Sequence, residues 1–96
     1  LKSAEQGNAL AQNVLATFYF EGRGITQDYS KTVYWLRKSA EQGYAEAQDN
    51  LGYCYQEGYG VTKDYAQAKY YYKKAAEQGY EDAKACFDDM IAYLEK

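Results

Sequence analysis

The chain has 96 residues and a formal net charge of −3, made up of 11 basic and 14 acidic side chains mixed along its length. Because no basic stripe is present to neutralise phosphates, nucleic acid is not expected as the main partner. The longest apolar runs are far shorter than the roughly 20 residues that cross a bilayer, so direct membrane insertion is not expected either.

The two cysteines and the complete lack of histidine limit the possible chemistry. Cys54 and Cys86 are too few for a disulfide framework, and a zinc site built from Cys and His is excluded without His. A nucleophilic cysteine would also lack its usual base. We therefore expect two free packed thiols, no catalytic residue, no metal and no cofactor. Free thiols favour a reducing compartment such as the cytoplasm, but the sequence does not otherwise determine the location.

A five-residue stretch occurs three times at a fixed step. Ser39-Ala40-Glu41-Gln42-Gly43 has counterparts at 3–7 and 75–79, and the glycines that end the three copies are each 36 residues apart. A fixed period in the range of about 20–50 residues indicates a stacked repeat array. The predicted fold class is therefore all-α: an α/α superhelical solenoid of antiparallel helix hairpins.

The helices of this solenoid can be predicted in chain order. Segments 8–21, 44–57 and 80–95 place apolar residues at steps of three and four, which predicts the first helix of each hairpin. The second helices are predicted over 29–42 and 65–78, where small residues alternate with larger ones as close antiparallel packing requires. The predicted packing stripes of 29–42 and 80–95 are Thr32, Trp35, Leu36, Ser39 and Ala40, then Ala83, Phe87, Met90, Ile91 and Leu94.

Each of the first two helices ends at a Gly-x-Gly-apolar-Thr-x-Asp-Tyr turn, over 22–29 and 58–65. The opening glycine can adopt the left-handed conformation just past a helix end. A phosphate-binding role is rejected, because neither a preceding strand nor a Lys-Ser/Thr pair accompanies these glycines. The next helix is expected to be capped by a side-chain oxygen of the turn, from Thr26 or Asp28 and then from Thr62 or Asp64.

The period also divides the chain into units. We predict the end of a preceding repeat helix at 1–6, full repeats at 7–42 and 43–78, and a C-terminal capping helix at 79–96. Asp88 stands where both earlier repeats have a small residue, as expected of a capping element. Because the chain starts in mid-helix without an initiator Met, we expect it to be the C-terminal fragment of a longer array.

One phrase accounts for nearly the whole chain. It reads Ala47-Gln48-x-x-Leu51-Gly52-x-x-Tyr55-x-x-Gly58-x-Gly60-Val61-x-x-Asp64-Tyr65-x-x-Ala68, followed by Lys74-Ala75-Ala76-Glu77-Gln78-Gly79. This phrase closely resembles the Sel-one-like repeat, a branch of the tetratricopeptide-like helical repeat superfamily. The resemblance implies that the first helices line a concave surface and that the second helices lie outside. It also implies a non-catalytic adaptor or scaffold whose concave face binds a peptide or a partner protein.

Residues offset by two positions from the packing stripe of the first helices are predicted to face the concave side. Phe20 and Tyr53 are the predicted anchors, because aromatic rings supply apolar area at binding surfaces. Asp49 and Asp89 give the groove an acidic bias that suits a basic or polar peptide. Variation at this phase reflects either local ligand contacts or a lack of constraint on a solvated face. The full set is Asn13, Thr17 and Phe20, then Asp49, Tyr53 and Gln56, then Ala85 and Asp89.

A second hypothesis belongs to a different class. In it, the chain is a structural segment that caps a longer array or mediates self-association. This hypothesis rests on the start of the chain in mid-helix. That start is expected to leave an apolar repeat face uncovered at 1–7 and on the helix that follows.

Overall fold

The structure, a computed structural model, describes residues 2–95. Leu1 and Lys96, the outermost residues of the predicted units 1–6 and 79–96, lie outside the described range. Residues 2–95 contain helices and turns but no strand. The helices are α1 (Lys2–Glu5), α2 (Ala9–Glu21), α3 (Tyr29–Glu41), α4 (Ala45–Glu57), α5 (Tyr65–Glu77) and α6 (Glu81–Leu94).

These helices stack as a solenoid does. From α1 to α6, each helix packs against the next helix in the sequence, and the body measures 43 × 24 × 17 Å. The five long helices, α2 to α6, begin and end within one residue of their predicted bounds. The predicted all-α solenoid of helix hairpins is therefore confirmed.

The turns within the hairpins follow the predicted capping chemistry. Gly22 and Gly58 end α2 and α4 with φ values of 73° and 79°, in the left-handed region that glycine tolerates best. A carboxylate oxygen of Asp28 accepts the backbone N–H of Lys31 at 3.1 Å, and Asp64 makes the equivalent contact one period later. Of the two predicted capping candidates in each turn, the aspartate is therefore the one that caps the helix.

A buried glutamine joins α2 to the ends of two other helices. Gln12 is only 3% exposed, and its Nε2 donates to the backbone oxygen of Ala4 in α1 at 3.1 Å. Its Oε1 accepts from Nε2 of Gln42, just after α3, at 2.9 Å. The side chain of Gln42 thus reaches a residue 30 positions earlier in the sequence.

The next repeat contains the same arrangement. Gln48, at 4% exposure, donates to the backbone oxygen of Ala40 at 3.2 Å and accepts from Gln78 at 2.8 Å. We call these two sets of contacts the glutamine ladder. A buried amide without partners is costly, so each ladder contact favours one alignment of neighbouring helices.

Close packing within each hairpin uses different residue pairs at one repeat position. In the first hairpin, the fully buried Ala16 belongs to the same core cluster as Leu36. In the second, Gly52 leaves room for the ring of Tyr72, because a Cβ built on Gly52 would lie 2.9 Å from Cδ1 of that ring. The small residue at this position of the first helix therefore permits the close approach of the second helix.

Two core assignments differ from the prediction. Leu94 was placed on the packing stripe of the last helix but is 45% exposed. In the last turn of α6, the neighbouring Tyr93 makes the contact with α5 instead, its ring centroid lying 5.9 Å from that of Tyr65. Val33 is missing from the predicted stripe of the second helix, yet it is 6% exposed and belongs to the main core cluster.

The two residue pairs, Ala16 with Leu36 and Gly52 with Tyr72, yield a prediction about stability. Gly52→Ala should destabilise the chain, because the added methyl group clashes with Tyr72 at a cost of about 1–3 kcal/mol. This cost is reduced by the roughly 1 kcal/mol by which alanine is favoured over glycine in a helix. Tyr72→Leu alone should leave a cavity. The double variant restores the Ala16–Leu36 combination, so its cost should be smaller than the sum of the single costs by about 1 kcal/mol or more.

Urea unfolding followed by circular dichroism measures all three free energies of unfolding. Strictly additive costs would show that the two residues do not constrain one another.

Candidate partner-binding groove

A cleft lies between α2 and α4, hereafter the α2–α4 cleft. It has a volume of about 220 Å³ and brings together three of the predicted site residues, Thr17, Phe20 and Tyr53. Its remaining lining comes from Ala16, Thr32, Leu36, Asn50 and Cys54. No charged side chain lines this cleft, so it is suited to an apolar group.

An aromatic cluster stands at the edge of this cleft. The ring of Phe20 lies 5.3 Å from that of Tyr29 and 5.2 Å from that of Tyr59, the latter edge-on. The ring of Tyr53 lies 5.8 Å from Tyr59 and remains 44% exposed. Tyr59 was not among the predicted site residues. A signal for it existed in the sequence, since the equivalent position one period earlier holds Arg23.

Asn13 is buried in the contact between the two repeats. Its side chain is 2% exposed, and its amide nitrogen donates to the carboxylate of Glu46. Its side-chain oxygen accepts from Nδ2 of Asn50 at 3.2 Å. Because both partners lie on α4, this residue joins the two first helices that form the cleft.

Asp49 occupies the same position one repeat later but meets different chemistry. Asp82 stands where Glu46 stood, so a carboxylate faces a carboxylate instead of an amide. Oδ1 of Asp49 is buried and has no hydrogen-bond partner within residues 2–95. Burial, followed by the charges of Asp82 and Glu46, raises the pKa of Asp49 from its ordinary 3.8 to about 6.

Gln56 and Asp89 border a second concavity, hereafter the α4–α6 cleft, of about 370 Å³. The side-chain oxygen of Gln56 accepts the hydroxyl of Tyr72 at 2.8 Å, which fixes that edge of the cleft. The predicted residues thus fall into three places. Thr17, Phe20 and Tyr53 share one cleft, Gln56 and Asp89 share another, and Asn13 and Asp49 lie at the contacts between first helices. We use the term groove for this combined surface of α2, α4 and α6.

The described residues were also searched for a grouping of metal ligands and for a reactive thiol. Across residues 2–95, no three side chains among Cys, Asp and Glu group in a way that could hold a metal ion. Both cysteines are free, and burial raises the pKa of the Cys54 thiol to about 11, which leaves it protonated at neutral pH. None of the helices from α1 to α6 has the length and apolar character needed to span a membrane.

The buried carboxylate of Asp49 yields a pH-dependent prediction. Its pKa is higher in the folded chain than its ordinary value, so the charged form is penalised above about pH 6 and the penalty fades as the pH falls toward 4. Asp49→Asn should raise the free energy of unfolding at pH 7 by about 1 kcal/mol, allowing for the partial exposure of the group. This gain should shrink at about pH 5.

Urea denaturation at both pH values measures the effect. Asp88→Asn, which removes a charge from an exposed position of α6, is the control. An equal change in both variants, or a gain that does not vary with pH, would contradict the assignment.

The family matches found among known proteins follow the repeat period of the chain. The family model described as the Sel1 repeat matches residues 9–44 and 45–80. A Sel1 repeat protein from Oxalobacter formigenes is 39% identical with a TM-score of 0.84, the match covering 85% of this chain and 34% of that one. No match was found among curated protein sequences.

Two further solved structures are similar. A protective antigen present in uropathogenic Escherichia coli strains, with an SLR fold, is 44% identical with a TM-score of 0.90, covering 93% of this chain and 19% of that one. Helicobacter pylori cysteine rich protein B is 28% identical with a TM-score of 0.84, the match covering 88% of this chain and 64% of that one.

The chain therefore spans about a third, a fifth and two thirds of the lengths of these three proteins. Two adjacent family matches cover most of its length, and the three structures share its arrangement of helices. The chain belongs to the Sel1 repeat family, whose members are generally non-catalytic modules for protein–protein interaction.

Proposed function

We propose that this chain binds a peptide or protein segment in the groove, as a non-catalytic adaptor or scaffold module. The observation that carries the proposal is the α2–α4 cleft, in which Tyr53 stays 44% exposed beside a wall that is mostly apolar and carries no charge. Exposed aromatic rings at the edge of a concavity are typical anchors of protein interfaces, because they bury a large apolar area on contact.

The surroundings of the cleft support this function by holding the anchor residues in place. Phe20 is fixed between the rings of Tyr29 and Tyr59. The hydroxyl of Thr17 donates to the backbone oxygen of Asn13 at 3.1 Å, within its own helix. A surface that is already ordered loses less conformational entropy when a partner binds.

In this proposal the remaining groove residues have two roles. Asn13 supports the cleft by joining α2 to α4, while Asp49, Gln56 and Asp89 extend the binding surface toward α6. The repeats at 7–42 and 43–78 supply the two walls of the α2–α4 cleft. The unit 79–96 closes the array with Asp88, which is exposed, where Ala16 and Gly52 are buried.

A second candidate function is self-association or array capping through the outer face of α2. Leu10 and Val14 are 54% and 41% exposed on this face. Their equivalents one repeat later, Glu46 and Asn50, contact Asn13 of the preceding first helix. The face therefore suits another repeat, either from the same polypeptide or from a second copy. A mass by light scattering that stays monomeric across concentrations would exclude self-association.

Peptides selected from a randomised phage-displayed library test the groove. We expect selected peptides to bind the chain and to lose about tenfold or more in affinity when Tyr53 is changed to Ala, since truncating a central anchor costs about 1–2 kcal/mol or more. Phe20→Ala with Tyr53→Ala should abolish binding while helicity by circular dichroism is retained.

Tyr34→Ala is the matched control, because Tyr34 is 53% exposed on α3, away from both clefts. Peptides whose affinity falls with Tyr34→Ala but not with Tyr53→Ala would locate the binding surface elsewhere.

A further inference from the structure

The charges of the chain are divided between its two layers of helices. The first helices α2, α4 and α6 carry Glu21, Glu46, Asp49, Glu57, Glu81, Asp82, Asp88 and Asp89 against a single Lys84. The second helices α3 and α5 carry Lys31, Arg37, Lys38, Lys69, Lys73 and Lys74 against Glu41 and Glu77. The net charge of −3 therefore conceals an acidic layer of first helices and a basic layer of second helices.

The acidic groups of the groove are not neutralised from within. Among residues 2–95 the ion pair that forms joins Arg23 to Glu21, at 2.8 Å, and lies at the end of α2 outside both clefts. The α4 helix contains Glu46, Asp49 and Glu57 and no basic residue. Carboxylates that share one surface without internal cations create a negative field that attracts cationic partners.

Two lysines of the outer layer stand over tyrosine rings of their own helices. Lys38 and Lys74 stand over the rings of Tyr34 and Tyr70, with Nζ 5.2 and 5.3 Å from the ring centroids. Arg37 donates to the hydroxyl of Tyr55 at 2.8 Å. The two lysines are thereby held on the outer layer, and Arg37 contacts a phenol of α4; none of these three cations forms an ion pair with a carboxylate of the described residues.

The size and lining of the α2–α4 cleft determine which kind of side chain it can accept. At about 220 Å³ it is smaller than the roughly 300–1,000 Å³ of sites for drug-sized molecules, so it suits a single side chain. Its two threonine hydroxyls donate within their own helices, from Thr17 to Asn13 and from Thr32 to Asp28. With those donors occupied and Leu36, Ala16 and Cys54 beneath, the cleft favours an apolar group.

We infer that the partner of the groove is a cationic peptide segment with one apolar anchor side chain. The anchor occupies the α2–α4 cleft against Phe20 and Tyr53. The flanking Lys or Arg side chains lie over the carboxylates of α4 and α6, including Glu57 and Asp89 at the α4–α6 cleft. This inference rests on the proposed function and adds to it the charge and side-chain class of the partner.

Four fluorescein-labelled synthetic peptides test the inference by fluorescence anisotropy. The reference peptide has one central Phe among alternating Lys and Ser. The other three replace Phe by Ser, replace Lys by Gln, or replace Lys by Glu. We expect the reference to bind at least about tenfold more tightly than each of the others, and to weaken as NaCl rises from about 50 to 300 mM.

Adjacent residues of α6 provide a matched pair of variants. Asp89 lines the α4–α6 cleft, whereas Asp88 faces the side shared with Lys84 and Phe87. Asp89→Asn and Asp88→Asn change the net charge equally. We expect Asp89→Asn to weaken the reference peptide several-fold and Asp88→Asn to leave its affinity nearly unchanged. Tyr53→Ala should remove the preference for Phe over Ser.

The outcomes separate this inference from the proposed function. If the Gln or Glu peptide binds as tightly as the reference, and remains sensitive to Tyr53→Ala, the groove binds peptides but its partner is not cationic. Equal effects of Asp88→Asn and Asp89→Asn on the affinity would show that the attraction depends on net charge alone, and this would overturn the inference. If no peptide responds to Tyr53→Ala, both the inference and the proposed function fail.

Discussion

The structure depends on buried amide groups that can be satisfied only by neighbouring helices. Gln12 and Gln48 are almost fully buried, and the side chain of each exchanges hydrogen bonds with the ends of two other helices. A helix that slid along its neighbour by one turn would keep much of its apolar contact but would leave these amides unpaired. The cost of an unpaired buried amide, about 1–3 kcal/mol, therefore favours one register.

This constraint gives the most faithfully repeated stretch of the chain a structural role. The repeated glutamines Gln42 and Gln78 donate to the buried Gln12 and Gln48, and the alanine two positions before Gln42 supplies a carbonyl acceptor to Gln48. With the register fixed by repeated residues, the positions between them are free to differ. Asn13, Asp49 and Ala85, for example, are equivalent in the sequence but differ in charge and polarity.

Periodicity predicted the helices, the left-handed glycines and a side-chain cap from the threonine or the aspartate of each turn, because each depends on residues close together in the sequence. The ladder and the role of Tyr59 were not predicted. Gln42 contacts Gln12 across 30 residues, and a period identifies equivalent positions without saying which side chains meet. Leu94 fits the apolar spacing but is exposed, because spacing describes a face of a helix and not whether a neighbour covers it. The groove residues remain predictions whose mutual placement is now known.

The central claim is that the non-repeating residues of the first helices hold the partner and that the outer layer does not. Backbone amide chemical shifts of the ¹⁵N-labelled chain, followed during titration with the Lys/Ser peptide bearing one Phe, test this claim residue by residue. We predict saturable shifts at Thr17, Phe20, Tyr53, Gln56 and Asp89, with little change at Tyr34 and Tyr70. Shifts concentrated on α3 and α5, with the groove unmoved, would contradict it.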